Sequence, residues 1–242
     1  MKTTGNTIFI SGGSAGIGLA IAKKLSDAGN KIIINGRNKE RLEKAQTELK
    51  DAIAIQGDLS IESDRIRIAE ELKTNYPDVN IIVNNAGSAF AYLLSETAGA
   101  HEKAMIEMNT NYFAIIHFTE LMLSHLLDRE AAAVVNVSSI AVYGSHKLLP
   151  TYGASKAALH SYTTALRKTY EEQQNLQVYE VYPPLVNTDF SAEIGGAAGI
   201  APSEVADELI IGLEGNLFDI PVGETKVYAN AIGEAMSKLA QA

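Results

Sequence analysis

Tyr152 and Lys156 stand four residues apart, in Tyr152-Gly153-Ala154-Ser155-Lys156. That is about one turn of a helix, so both side chains share a face. A phenol near its ordinary pKa of about 10 is a poor proton shuttle at neutral pH. A neighbouring ammonium favours the phenolate and lowers that value, which suits the pair to moving a proton to or from a developing alkoxide. Upstream, Ser138 and Ser139 close the apolar run Val135-Asn136-Val137. A strand-end hydroxyl facing a crevice can donate to a substrate oxygen as charge builds there. Asn109 and Asn111 interrupt a helical pattern, where asparagine is unfavourable by propensity, so a use for one of them is expected.

A second group of residues could hold an anion. Ser11-Gly12-Gly13-Ser14-Ala15-Gly16-Ile17-Gly18 follows an apolar run and opens an amphipathic stretch. Glycines here allow a tight turn and a close backbone approach to a diphosphate, and a helix N-terminus turns free N–H groups toward it. The second apolar run ends Asn35-Gly36-Arg37-Asn38, with glycine where an acid would otherwise accept from a ribose 2′-hydroxyl. A missing carboxylate and an adjacent guanidinium favour a 2′-phosphate, and Ser14 and Asn38 add hydrogen-bonding groups. Ala15 is the counter-indication, since a second basic residue is absent there.

These groups need a scaffold. Thr7–Ser11, Lys31–Asn35, Ala52–Gln56, Asn80–Asn84, Ala133–Ser138 and Gln177–Tyr182 read as short strands apolar on both faces, with a last strand near Lys226–Ala229. Between them run helical patterns. Ile17, Ile21, Leu25 and Ala28 line one face and Gly29 supplies a stop. Glu40–Lys50, Glu62–Asn75, His101–Asp128 and Tyr152–Gln174 continue the series. Strand–helix alternation along the whole chain predicts one doubly wound α/β domain over residues 1–242. The small-residue stretch after the sixth strand, within 187–203, is expected to be a lid.

The bulk numbers narrow the partners. With 20 Lys and Arg against 29 Asp and Glu, the net charge is −9, which disfavours nucleic acid and anionic lipid. Cysteine is absent, so disulfides and thiolate chemistry are excluded, as suits a reducing cytosol. The run Ile8–Ile10 is too short for a signal peptide or a membrane span, so a cytoplasmic protein is expected. The five histidines show no ligand spacing with carboxylates, so no metal site is expected.

Over residues 5 to 190 the motifs fall in one order: GxxxGxG at Gly12, Gly16 and Gly18, Asn84-Asn85-Ala86-Gly87, Ser139, and YxxxK at Tyr152. In this the chain resembles the short-chain dehydrogenase/reductase family. The resemblance implies a Rossmann-type sheet of about seven parallel strands with helices on both faces. It implies a nicotinamide cofactor, NADP(H) in preference to NAD(H), and hydride exchange with a small carbonyl or alcohol. It assigns catalysis to Asn111, Ser139, Tyr152 and Lys156, with Asn111 positioning a water beside the lysine. It assigns cofactor contacts to Gly12, Ser14, Gly16, Ile17, Gly18, Arg37 and Asn38, to Asp58 and Leu59, and to Asn85, Ala86 and Gly87. Tyr152 and Lys156 hold the cofactor too, as do Pro183, Val186 and Thr188 after the sixth strand. The family's glycine in that last segment is Pro184 here, and the PPLVxT form resembles DltE-like oxidoreductases. Substrate walls are expected from 88–95, 140–150 and 184–203, with His146, Tyr143 and Leu148 as candidates. Family members are usually homodimers or homotetramers. A dinucleotide-sensing or scaffold protein on the same fold is the alternative, disfavoured by the retained tyrosine and lysine. An epimerase or dehydratase is disfavoured by the loop spacing.

Overall fold

Isoleucine and valine, branched at Cβ and buried on both sides, form the strands of the computed structural model, which describes residues Met1 to Ala240. The strands are β1 (Thr7–Ser11), β2 (Lys31–Gly36), β3 (Ile53–Gln56), β4 (Val79–Asn84), β5 (Ala132–Val137), β6 (Leu176–Tyr182) and β7 (Asp219–Pro221). They pair in parallel in the order β3-β2-β1-β4-β5-β6-β7. The chain builds outward from β1 to β3, then returns to place β4 against the other side of β1. That reversal opens a crevice beyond the C-terminal strand ends, where such sheets bind ligands.

Helices α1 (Gly16–Asp27), α2 (Lys39–Thr47) and α7 (Pro202–Gly215) cover one face. There Ile21, Leu25, Leu209 and Leu213 meet Ile8, Ile10, Ile32 and Ile34. Helices α3 (Glu62–Asn75), α5 (Ala114–Leu127) and α6 (Tyr152–Thr169) cover the other. There Ile68, Leu72, Phe118, Met122 and Leu166 meet Phe9, Ile33, Ile82 and Val134. Alternation along each strand sorts its residues between the two layers. Each such buried side chain contributes roughly 1.5–3 kcal/mol relative to exposure.

Two expectations fail. Lys226–Ala229 is not a strand but the first turn of α8 (Thr225–Ala240). Val227 and Tyr228 favour a strand locally, but the alanine-rich sequence that follows favours a helix. The edge is taken by Asp219–Pro221, pairing with Glu180–Tyr182, and an edge strand tolerates its proline. The predicted helix 101–128 is interrupted: α4 (Ala100–Met108) passes through a π turn (Asn109–Phe113) before α5. Widened turns of this kind are frequent at functional sites, and this one holds Asn111. The predicted helices 40–50 and 152–174 end earlier, at Thr47 and Thr169.

One row of the sheet is polar. Asn35 pairs with Ser11, Asn84 with Asn136, Asn136 with Glu180, and Glu180 with Asp219. Of this row Ser11, Asn35 and Asn84 border the crevice. Among the described residues no helix is long and apolar enough to cross a membrane.

Candidate active site

The glycine loop is fixed by its own backbone. Gly12 and Gly16 sit at φ +65° and +53°, in the left-handed region that side chains other than glycine rarely adopt. Gly18 lies beneath the loop, where a Cβ would strike the Gly12 carbonyl oxygen and the Asn85 amide. Ser11 ties the loop to the end of β4. Its hydroxyl donates to Val83 O at 3.2 Å and accepts from the Asn85 and Ala86 amides at 3.0 Å each. Asn85 Nδ2 returns bonds to Ser11 O at 3.0 Å and Gly12 O at 3.3 Å. Gly12, Ser14, Gly16 and Ile17 thus line the crevice with Asn85, Ala86 and Gly87, while Gly18 acts from below. A bare backbone cradle that any Cβ would fill fits the diphosphate of a dinucleotide.

At the outer end, Arg37, Asn38, Asp58 and Leu59 border the same crevice. Arg37 Nη1 lies 3.6 Å from Asp58 Oδ2. The Asn38 side chain accepts from the Arg41 amide at 2.9 Å and so caps α2, which commits its oxygen and leaves its amino group. Arg41, which sequence reasoning did not single out, also lines the crevice and lies 3.5 Å from Asp189. A guanidinium four residues beyond Arg37 was the signal available.

Ser139, Tyr152 and Lys156 line the crevice together, and Asn111 lies behind them beside Gly87. Ser138 is set apart, its hydroxyl turned into the sheet toward Val181 O at 3.1 Å, whereas Ser139 faces the Tyr152 phenol. Lys156 is buried, its Nζ 5.8 Å from the Tyr152 ring centroid and donating to Val137 O at 2.8 Å. Burial pushes the Tyr152 phenol up to about 12, with the Ser139 hydrogen bond opposing and Glu107 adding. Burial pulls Lys156 down to about 8. The lowering of Tyr152 expected from Lys156 is opposed by burial, which raises the phenol, while one of the three ammonium donors goes to the carbonyl of β5.

Asn111 is fully buried in the π turn. Its Oδ1 accepts from Ser88 N at 2.8 Å, and its Nδ2 donates to Ser88 O at 2.8 Å and Ser155 Oγ at 2.9 Å. Asn109, the competing assignment, points away and donates to Ser60 O. A Cβ on Gly87 would come 3.2 Å from Asn111 Oδ1 and 3.9 Å from Lys156 Nζ, so glycine keeps the space between them open. One turn earlier, buried Glu107 accepts from Phe90 N at 3.0 Å and Thr151 Oγ1 at 2.6 Å. It thereby pins the chain after β4 to the start of α6. Glu107 went unnoticed in the sequence, where it reads as one more helical acid.

The far side of the crevice is aromatic. Tyr143 stacks between Tyr182 and Tyr228, with centroids at 5.9 and 6.4 Å, and Phe190 lies 6.2 Å from Tyr152. His146 and Tyr143 line the crevice as expected. Leu149 takes the place predicted for Leu148, whose carbonyl holds Tyr92 N instead. The 88–95 segment does not itself border the crevice: Asn111 and Glu107 hold its Ser88 and Phe90 amides, and Tyr92 joins it to Leu148 and Thr151. Pro183, Pro184 and Val186 border the crevice, and buried Pro184 packs beside Gly223. Thr188 rests its methyl over Gly16, and Ser191 bonds Val186 O. The crevice has a volume of about 830 Å³. Among the described residues no group of three His, Cys, Asp or Glu could hold a metal ion.

Comparison with known proteins agrees with this architecture. The family model described as short chain dehydrogenase matches residues 6–198. An uncharacterized oxidoreductase, DltE, from Bacillus subtilis (strain 168) is 35% identical over 210 residues, 86% of this chain and 82% of that protein. A short chain dehydrogenase from Burkholderia cenocepacia solved with NADP superposes with a TM-score of 0.85 at 24% identity, over 99% of this chain and 97% of that one. A short chain dehydrogenase/reductase from Burkholderia phymatum solved with NAD gives 0.84 at 19% identity, over 91% and 90%. With a matched family model running from β1 past β6 and a relative aligned over most of both chains, the chain belongs to the short-chain dehydrogenase family of oxidoreductases.

Proposed function

We propose that the chain is an NADP(H)-dependent reductase of small, mainly apolar carbonyl compounds, with Tyr152 as the proton donor. The observation that carries this is that Ser139, Tyr152 and Lys156 border the glycine-lined crevice together, with buried Asn111 behind Gly87. A bound nicotinamide supplies the hydride. Ser139 donates to the substrate oxygen and steadies the charge that builds on it. Tyr152, with its pKa near 12, is protonated at neutral pH and so stands loaded for reduction. Lys156 holds the ribose hydroxyls, and the space kept open by Gly87 admits a water between Lys156 and Asn111 to return the proton to Tyr152.

The 2′-phosphate is favoured over a free hydroxyl by two features. Gly36 stands at the end of β2 with no carboxylate to hold the ribose diol, and a Cβ there would press on the Ser14 hydroxyl at 2.9 Å. Arg37, the Asn38 amino group and Ser14 remain as donors around that point. Residues 187–203 are assigned as the lid. Main-chain bonds from Asn187 N to Ile200 O at 2.8 Å and from Ile200 N to Leu185 O at 3.0 Å close its base, and Phe190 faces the phenol. Tyr143, Phe190 and Tyr228 support an apolar substrate. Exposed Met105, Ile106 and Phe113, along α4 and the π turn, suit pairing of two copies.

The test is NADPH consumption against a panel of aldehydes, ketones and dicarbonyls, with NADH in parallel and Tyr152→Phe as control. Turnover with NADPH that vanishes in the variant supports the reading. Binding of NADPH without turnover of any compound moves the reading to a dinucleotide sensor. A clear preference for NADH removes the role given to Arg37.

A further inference from the structure

β6 carries a carboxylate where its neighbours are apolar. Leu176 and Val178 face the layer that contains α6, and alternation puts Glu180 on the same side. The Glu180 side chain is fully buried. One oxygen meets His160 Nδ1 at 3.0 Å, while Oε1 has no hydrogen-bond partner. Burying a charge with one oxygen unmet is costly, and packing alone would be served as well by leucine.

The neighbouring helix supplies a reason. Tyr152, Lys156 and His160 follow at four-residue spacing along one face of α6. Across the ladder Glu180 pairs with Asn136, whose amide reaches Thr163 of α6 at 2.8 Å. The next residue of β5, Val137, provides the carbonyl that takes Lys156 Nζ. Lys156 is only 3% exposed, and that hydrogen bond goes to a neutral acceptor. A buried ammonium in such a setting lacks a contacting anion.

We propose that Glu180 is a positioning residue whose buried carboxylate is the countercharge that keeps Lys156 an ammonium inside the crevice wall, with His160 fixing the carboxylate from the solvent side. The charged and titratable groups around Glu180 are few. From α6 come Lys156, His160 and Arg167; from β6, Tyr182; from β7, Asp219; from the turn after β5, Tyr143. Arg167 occupies Asp219 through two bonds at 3.0 and 3.1 Å, and Tyr182 donates to Asp219 at 2.7 Å. That leaves Glu180 and His160 to set the charge facing Lys156. The field of Glu180 opposes the fall that burial imposes on Lys156, and the Glu180 hydrogen bond raises His160.

The consequence for turnover rests on the role given to Lys156 above, but its ionisation can be measured without turnover. Lysine labelled with carbon-13 at Cε is followed by NMR through a pH titration of Glu180→Gln and the unsubstituted protein, the Lys156 signal being assigned by its loss in Lys156→Met. The expected result is a Lys156 midpoint lower by about one pH unit in Glu180→Gln. The alkaline limb of NADPH-dependent turnover moves down with it, and the rate below that limb is retained. An unmoved midpoint, with a rate that drops equally at every pH, overturns the proposal and makes Glu180 structural. Glu180→Met, which fills the volume without a polar atom, carries the same test if Glu180→Gln does not fold. A midpoint that moves in a protein without carbonyl turnover upholds the countercharge and rejects the reductase reading.

Discussion

Between Gly12 and Asp58 the crevice wall is backbone and half-exposed charge; behind Ser139, Tyr152 and Lys156 it is backed by buried hydroxyls, amides and ions. The first side is shaped by what cannot be there: side chains at Gly12, Gly18 and Gly36 would collide with the backbone or with Asn85 and Ser14. The second side is shaped by what must be there, since each buried polar group needs its partner. Asn111 spends its side chain on Ser88 and Ser155, and Glu107 spends its carboxylate on Phe90 and Thr151. A recognition surface for a fixed ligand can be cast in backbone. A proton-handling surface has to be tuned by burial and charge, and is correspondingly sensitive to single atoms.

The largest break in this comparison is one oxygen on the second side. Tyr152→Phe removes the proton donor and is expected to lower NADPH-dependent turnover by on the order of 10² to 10⁴. NADPH binding, followed by the change in its fluorescence, weakens far less than the rate falls, because the glycine side is untouched and only the Tyr152 contact is lost. Gly18→Ala breaks the other side. The added Cβ meets Gly12 O and Asn85, so the loop must shift, at a cost of about 1–3 kcal/mol. Thermal unfolding and NADPH titration should both register it, whereas Tyr152→Phe moves chiefly the rate.

The two sides also differ in pH response. Lys156, pulled down to about 8, loses its charge as pH rises through that value, while Tyr152, pushed up to about 12, keeps its proton. The rate of reduction is therefore expected to be level below the Lys156 value and to fall about tenfold per pH unit above it. NADPH held through the glycine loop should weaken far less over the same range. A rate that instead rises with pH would show that the phenolate is the working form.

Arg37 sharpens the comparison from the exposed side. It is 75% exposed and shared with Asp58, so its pairing with a 2′-phosphate is screened. Arg37→Leu is expected to lower the ratio of kcat/KM for NADPH over NADH by about tenfold, less than a buried charge-assisted pair would give. An unchanged ratio assigns the preference to Ser14 and Asn38.

The contrast also explains which parts were legible in the sequence. Ile8, Ile33 and Val134 announce strands because burial on both faces leaves a plain apolar run, and the glycine loop announces itself because only glycine fits. Tyr152 and Lys156 are legible through their spacing on one helix. The π turn is not, because widening a helix at Asn109–Phe113 depends on where Asn111 finds Ser88 and Ser155 in space. Glu107, His160 and Glu180 are hidden for a similar reason: a helical acid or histidine reads as a solvated face until packing buries it. Glu180 did leave a trace, an acid inside an otherwise apolar strand. The α8 segment misled because Val227 and Tyr228 favour extended chain, while the alanine-rich sequence that follows favours a helix.

The smallest effect is expected where the two sides touch. Arg41 of α2 reaches Asp189, the first residue of the turn that carries Phe190, at 3.5 Å, and this pair spans the crevice from the cofactor side to the substrate side. Both groups are exposed, at 53% and 85%, so the pair contributes below about 1 kcal/mol. Asp189→Asn should therefore change kcat/KM by no more than about fivefold. The direction is informative. If the pair holds the lid in place over the crevice, its loss speeds release and raises KM together with kcat. If Asp189 instead competes with the 2′-phosphate for Arg41, its loss tightens NADPH binding and leaves NADH unchanged. Titrating both cofactors against Asp189→Asn separates these outcomes, and Arg41→Gln then distinguishes them by sign: it too opens the lid in the first case, but weakens NADPH binding in the second.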